Sequence, residues 1–453
     1  MKRTLVFIAI VGCLATTQLH ARFGRSRLVQ PDEPDFNHTH SLVAAERHNL
    51  ITFGDTLYFV WFGDTTGEGI TNVWFSKSYD GGLNWQHRQI SPSPNSQLMP
   101  SICAPNPDTI FIAYKFYPEG ARTASQIYFQ RSFDGGESWM EEPVFLNQEN
   151  PNIRRDQSIQ GYASNPVLRY YPGTLLCATS LEGGVIFQSE DYGDTFTPLY
   201  DFEELYIYEW HTPGYYAMET TDDGGIFVRY DCGEGQNIGY IARENSSADW
   251  TDTECDTTSP AVYSPEAGYR WSFSSSFRGA SHPFHLAWMD NRTEKYHIWY
   301  GNFDPITGEG LNTTATQITD FYATQAMPVF RHRFHPNAKW PTVWAQDDSI
   351  VIFWSEYRDD DFGNLESHIF MRKSMDGGES WSDFVLVDDD SVGVNISNWQ
   401  SVSISEDGTI WVLYMSNRGT GTYNLYLTKY GCLLYTSDAA DELDGVDLGG
   451  RRI

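Results

Sequence analysis

Two stretches of the chain concentrate groups that could handle a sugar. One runs Asn150-Pro151-Asn152-Ile153-Arg154-Arg155-Asp156-Gln157, the other Tyr206-Ile207-Tyr208-Glu209-Trp210-His211-Thr212. Arg154 and Arg155 suit a carboxylate or other anion, because each guanidinium can grip two oxygens at once. Tyr208 and Trp210 offer aromatic faces for a sugar ring, Glu209 a carboxylate and His211 a general base. Brought together, Asp156 and Glu209 would make the carboxylate pair of a glycoside hydrolase. Held apart, the same stretches are solvated loops.

A second set recurs in register. Arg292, Arg358 and Arg418 each stand four residues after an aromatic, Trp288, Trp354 and Tyr414. Three guanidinium groups can converge on a ligand carboxylate. Recurrence at equal places equally predicts a repeated structural role, such as pairing with an Asp or Glu of a neighbouring unit. His38, His40, His332 and His335 match no metal-ligand spacing. No metal or cofactor is expected.

What must position these groups is a repeat. Seven apolar segments share one pattern of β-branched and aromatic residues: Leu57–Trp61, Ile110–Tyr114, Leu175–Thr179, Ile226–Tyr230, Phe284–Trp288, Ile350–Trp354 and Ile410–Tyr414. A strand apolar nearly throughout is one buried on both faces. A second strand follows each (Asn72–Ser76, Gln126–Gln130, His297–Tyr300, His368–Arg372, Asn424–Thr428), then a tight turn and an outer strand (Gln86–Ile90, Pro143–Leu146, Phe384–Val387). A short strand precedes each, as at Pro100–Ala104 or Pro328–His332. Four antiparallel strands in such a repeat make a propeller blade. The last unit lacks an outer strand, and Arg25–Gln30 resembles one. The expectation is an all-β, seven-bladed β-propeller over 22–431, closed by that N-terminal strand. Six blades is the alternative, with the fourth unit an insertion.

Three turns share one spacing: Ser78-x-Asp80-x-Gly82-x-x-Trp85, Ser132-x-Asp134-x-Gly136-x-x-Trp139 and Ser374-x-Asp376-x-Gly378-x-x-Trp381. Ser189-x-Asp191-x-Gly193-x-x-Phe196 is near-complete, and degenerate copies stand at Asn245 to Trp250 and at Asn302-Phe303-Asp304. The Asp can accept backbone N–H groups across a tight turn, the Gly can supply a positive φ, and the aromatic can pack between blades. Over about residues 40–430 the chain resembles the Asp-box, or bacterial neuraminidase repeat, propellers of the sialidase superfamily. The resemblance implies a propeller with these boxes as folding devices. It carries over no catalytic residue: the sialidase Arg-Ile-Pro signature is absent, its nucleophilic Tyr–Glu pair cannot be mapped, and sialidases have six blades. A true exo-sialidase is disfavoured. In such a blade the turn between the third and fourth strands lies on one face of the ring. The loop between the second and third strands and the connection between blades lie on the other, where a ligand site is expected.

With 60 acidic against 30 basic residues and a formal net charge of −30, the chain lacks the basic footprint that nucleic acid or an anionic membrane needs. Residues 1–21 read as a signal peptide, with Met1-Lys2-Arg3 before an apolar run and Ala21 at a cleavage site; Ile10-Val11-Gly12-Cys13 also resembles a lipobox, with Cys13 lipidated. The expected location is secreted or periplasmic, or anchored at Cys13, with no segment long enough to span a membrane. Cys232 and Cys255 could bridge within one blade, or stay free thiols. Residues 432–453 break the pattern and look like adaptor read-through. The functions that fit are a secreted glycan-directed protein, as a glycoside hydrolase or a glycan binder, or a non-catalytic disc that binds protein. A repeat domain of a larger secreted protein is a third reading.

Overall fold

A computed structural model describes residues 23–29, 40–41, 49–64, 68–90, 93–117, 126–146, 166–179, 185–201, 216–232, 237–253, 270–277, 282–307, 310–311, 315–325, 336–359, 365–389, 396–418 and 423–431. Their strands form seven antiparallel sheets. We number them as blades I to VII in chain order, each running from an inner strand outward. The second strands are Thr56–Gly63, Ile110–Phe116, Thr174–Thr179, Ile226–Cys232, Phe284–Asp290, Ser349–Asp359 and Ile410–Ser416. Each contains one of the seven apolar segments read from the sequence. The fourth unit is a complete blade, Tyr216–Thr220, Ile226–Cys232, Asn237–Arg243 and Thr251–Thr253, so the six-bladed alternative falls.

The inner strands are His40–Ser41 with Leu50–Phe53, then Gln97–Cys103, Val167–Tyr171, Tyr216–Thr220, Arg270–Ser276, Asn337–Gln346 and Ser397–Ile404. Each meets its neighbours in turn, the last meeting Leu50–Phe53, so the ring is closed. One inner strand differs from expectation. The inner strand of blade VI is Asn337–Gln346, where Pro328–His332 was expected; the latter lies outside the described residues. Blade I's inner strand is split into two pieces, both paired with Thr56–Gly63.

The N-terminal strand closes blade VII as expected. Arg27 pairs with Leu427 and Leu28 with Tyr426, and the Val29 amide donates to the Leu425 carbonyl at 2.9 Å. Pairing the chain's first described strand with its last removes an open sheet edge.

The apolar core is divided among the blade interfaces. Phe111, Phe129, Leu175 and Phe187 fill the space between blades II and III, and Leu57, Trp61, Leu413 and Leu427 that between VII and I. Second strands are buried on both faces because each face packs on a different neighbour: Ile350, Ile352 and Trp354 face blade V, and Val351 and Phe353 face blade VII. Inner strands are edge strands whose outward N–H groups need partners. Hydroxyls of the adjacent blade supply them. Ser101 accepts from the Leu168 amide at 3.1 Å, Ser274 from Val343 at 3.0 Å, and Ser401 from Asn49 at 2.8 Å.

The Ser-x-Asp turns join the third and fourth strands and sit beside the inner hairpins of their own blades. The Gly81 amide donates to Asp55, Gly135 to Asp108 and Gly377 to Asp348, each at 2.9 Å. In blade II, Ser132 Oγ donates to Asp134 at 2.8 Å and accepts from the Gly136 amide at 2.9 Å. The Ser138 amide and hydroxyl both donate to the Asp134 carboxylate. Ser138, side chain before backbone, holds Asp134 down at about 2; Asn84 does the same for Asp80 and Ser380 for Asp376.

Gly136 has φ +82°, and a Cβ there would land in the ring of Phe75 on blade I. Trp139 meets that same ring edge-on at 5.2 Å. The arrangement repeats: Gly193 and Phe196 close on Phe129 of blade II, and Gly378 and Trp381 on Tyr300 of blade V. The turn thus sets both its glycine and its indole or phenyl ring against one aromatic of the preceding blade. Degenerate copies keep part of this. The Ser246 amide donates to Asp223 O, Trp250 packs between blades III and IV, and Asp304 accepts the Ile306 and Thr307 amides.

Candidate functional site

Three inner strands carry the same irregularity at the end away from the Ser-x-Asp turns. In blades II, VI and VII two residues oppose one on the second strand: Met99-Pro100 opposite Tyr114, Trp340-Pro341 opposite Trp354, and Trp399-Gln400 opposite Tyr414. The first residue of each bulge is left-handed, with φ 54° at Met99, 55° at Trp340 and 53° at Trp399. A bulky side chain there costs about 1–2 kcal/mol. Such conformations persist where surrounding structure enforces them, and they gather at functional sites.

The enforcing contacts are visible. Gln400 of blade VII donates from Nε2 to the Trp340 carbonyl of blade VI, and its Oε1 accepts from Ser355 Oγ at 2.9 Å. This ties the two bulges together and brings their indoles into a stack, with centroids 4.0 Å apart and planes 25° apart. Tyr357 meets Trp340 edge-on at 5.3 Å. Lys339 Nζ lies 5.8 Å from the Trp340 ring centre and 5.5 Å from that of Tyr357. Both tryptophans are half-buried. Fixed aromatic rings beside a cation can take the C–H face of a sugar and hydrogen-bond its hydroxyls.

Sequence reasoning missed this pair. The signal was present as a recurrence, Met99-Pro100-Ser101-Ile102, Trp340-Pro341-Thr342-Val343 and Trp399-Gln400-Ser401-Val402. In it the Ser or Thr serves the hydroxyl belt and the first residue takes the bulge.

The three recurring arginines are engaged within the protein. Arg292 pairs with Asp290, Nη2 to Oδ2 2.5 Å, and lies 4.1 Å over Trp299. Arg358 is 1% exposed. It pairs with Glu356 and donates to Thr324 Oγ1 at 3.0 Å and the Phe321 carbonyl at 3.2 Å, tying blade VI to the short helix Phe321–Gln325 of blade V. Burial pushes the Glu356 carboxyl up, against the pull of Arg358. Arg418 pairs with Asp389 of blade VI at 2.7 Å and lies 3.9 Å from the Tyr426 ring centre. Arg418 therefore meets an acid of the neighbouring blade. Arg292 and Arg358 each pair with an acid two residues back in their own blade.

Arg154, Arg155, Asp156, Tyr208, Glu209, Trp210 and His211 lie outside the described residues, as do Cys13, Cys255, His38, His332 and His335. The segments holding the first seven precede the inner strands of blades III and IV, which are neighbours. Cys103 and Cys177 are free thiols, and burial pushes Cys103 up to about 12. Among the described residues no group of three or more His, Cys, Asp or Glu could hold a metal ion, and no helix is long and apolar enough to cross a membrane.

No protein-family model and no curated protein matches the chain. Among solved structures it is similar to a protein of unknown function from Dyadobacter fermentans, at 14% identity over 78% of this chain and 99% of that one, TM-score 0.49. It is similar to a polysaccharide lyase at 13% identity, covering 89% and 94%, TM-score 0.48. A third is an α-L-arabinanase of Penicillium chrysogenum complexed with arabinobiose, at 11% identity, covering 90% and 98%, TM-score 0.45.

Proposed function

We propose that the protein is exported and directed at glycans, which it engages on the ring face opposite the Ser-x-Asp turns. The observation that carries this reading is the stacked Trp340–Trp399 pair, held left-handed at adjacent bulges beside Lys339 and Tyr357. Left-handed conformations at bulky residues gather at functional sites, which supports a ligand for the two that carry stacked indoles. Hydrolysis by Asp156 and Glu209 is the catalytic form of the proposal. Arg154, Arg155, Tyr208, Trp210 and His211 would be subsite groups on the connections into blades III and IV. An exo-sialidase stays disfavoured without the Arg-Ile-Pro signature.

The test is an array of immobilised oligosaccharides probed with the wild-type chain, Trp340→Ala and Trp399→Ala. Retention by at least one glycan, weakened about tenfold or more in both variants, supports the reading. Unaltered retention in both variants removes the tryptophans from it. On any glycan that is hydrolysed, unchanged turnover in Asp156→Asn and Glu209→Gln removes the catalytic pair alone.

A second reading, a protein-binding disc, draws on the opposite face. There Tyr79, Phe133 and Tyr192 project from successive Ser-x-Asp turns at 53%, 52% and 47% exposure. It would show as capture of a protein partner lost on Phe133→Ser and kept in Trp399→Ala.

A further inference from the structure

Near the Ser-x-Asp turns, at the other end of the ring axis, residues of the inner strands of blades III to VI and Phe277 line an open cavity of about 270 Å³. Its lining residues lie close to their inner hairpins. Arg169 pairs with Leu176, Glu219 with Phe227, Ser276 with His285 and Trp344 with Val351. Trp340 and Trp399 belong to the opposite ends of their strands, so this is a separate place.

The polar wall is an ion pair between blades. Arg169 Nε stands 3.4 Å from Glu219 Oε2 and Nη2 3.5 Å from Oε1. This is looser than the roughly 2.7–2.9 Å of a tight charge-assisted bond. Ser275 Oγ donates to Glu219 Oε1 at 2.7 Å, which orients the carboxylate from blade V. The two side chains are 17% and 15% exposed. Trp344 and Phe277 form the apolar part of the lining.

Acceptor, donor and aromatic wall together match one kind of ligand. Adjacent hydroxyls of a pyranose can donate to a carboxylate and accept from a guanidinium, while the ring's C–H face rests on an indole. Because the two charges cancel, an anion would meet Glu219 and a cation Arg169, and a neutral ring meets neither penalty. The volume falls just under the ~300 Å³ at which ligand pockets begin, so the fit is to one ring and not to a chain. We infer that this cavity is a second binding site, for a single neutral pyranose. It does not depend on the reading of the opposite face.

The test is saturation-transfer NMR on the full chain, titrated with methyl α-glucoside, methyl α-mannoside and methyl β-galactoside. At least one should bind saturably, and Glu219→Gln should weaken that binding about tenfold or more. Should Glu219→Gln fail to fold, Trp344→Leu keeps the ion pair and should show the same loss. Absence of saturable binding by all three overturns the inference. So does unchanged affinity in the folded variant, and so does a loss that follows Trp399→Ala, which would move the ring to the other face.

Discussion

Replacing Gly136 with alanine tests how the blades are joined. Two costs add. At φ +82° an alanine is left-handed, worth about 1–2 kcal/mol. Its Cβ would also enter the Phe75 ring of blade I, with Cδ1 and Cζ both at 3.1 Å and Cε1 closer still. Phe75 cannot retreat easily, because it is buried, with Trp139 edge-on at 5.2 Å and Tyr58 5.4 Å away. Overpacking of this kind costs about 1–3 kcal/mol. The sum is about 2–5 kcal/mol. Gly173 is the control: φ is +87°, and no atom lies within 4 Å of a Cβ built there. Gly173→Ala should carry only the first cost. The assay is equilibrium urea unfolding of both variants under identical conditions. Adding Phe75→Leu to Gly136→Ala should recover part of the excess, a coupling that independent sites would not show. Equal destabilisation by Gly136→Ala and Gly173→Ala would refute the contact with Phe75.

Four further outcomes are expected. Asp80, Asp134 and Asp376 sit at about 2 in the fold against an ordinary value near 3.9, so the unfolded chain takes up protons first. Their stabilisation is complete above about pH 4 and lost as pH falls toward about 2, and a triple Asp→Asn variant should flatten that limb of an acid titration. His285 and His297 are held neutral, at about 4, by burial. Unfolded histidine protonates below about pH 6.5, so a second loss runs from there to about pH 4 and should shrink in His297→Gln. Val29→Asp should cost several kcal/mol by placing a charge at a position 2% exposed, read as a lower unfolding midpoint. Arg358→Met, which strands Glu356, should cost about 3–5 kcal/mol, while Arg358→Met with Glu356→Gln regains much of it and glycan retention stays as in wild type.

The blades were legible because their second strands are buried on both faces. Ile110–Tyr114 and Ile350–Trp354 need no partner to be recognised. Closure was legible from a deficit, since the last unit lacked the outer strand that Arg27–Leu28 supplies. Inner strands were read less well. Lys339-Trp340-Pro341 carries a proline, which interrupts the strand pattern and is accommodated by a bulge on an edge strand. The candidate glycan face was hidden for the same reason. Trp340 and Trp399 are 59 residues apart by their numbering and are brought together by Gln400 and the packing of blade VI on blade VII. Arg169 and Glu219, |i−j| of 50, meet through the packing of adjacent blades, which no local spacing encodes. The recurring arginines were legible as a pattern, though two of them pair within their own blade.

The most direct measurement is a crystal structure of the chain soaked with an oligosaccharide that the array retains. The account predicts a sugar ring lying against the Trp340–Trp399 pair, on the face away from the Ser-x-Asp turns. A retained glycan bound elsewhere, with both indoles uncovered, would contradict it.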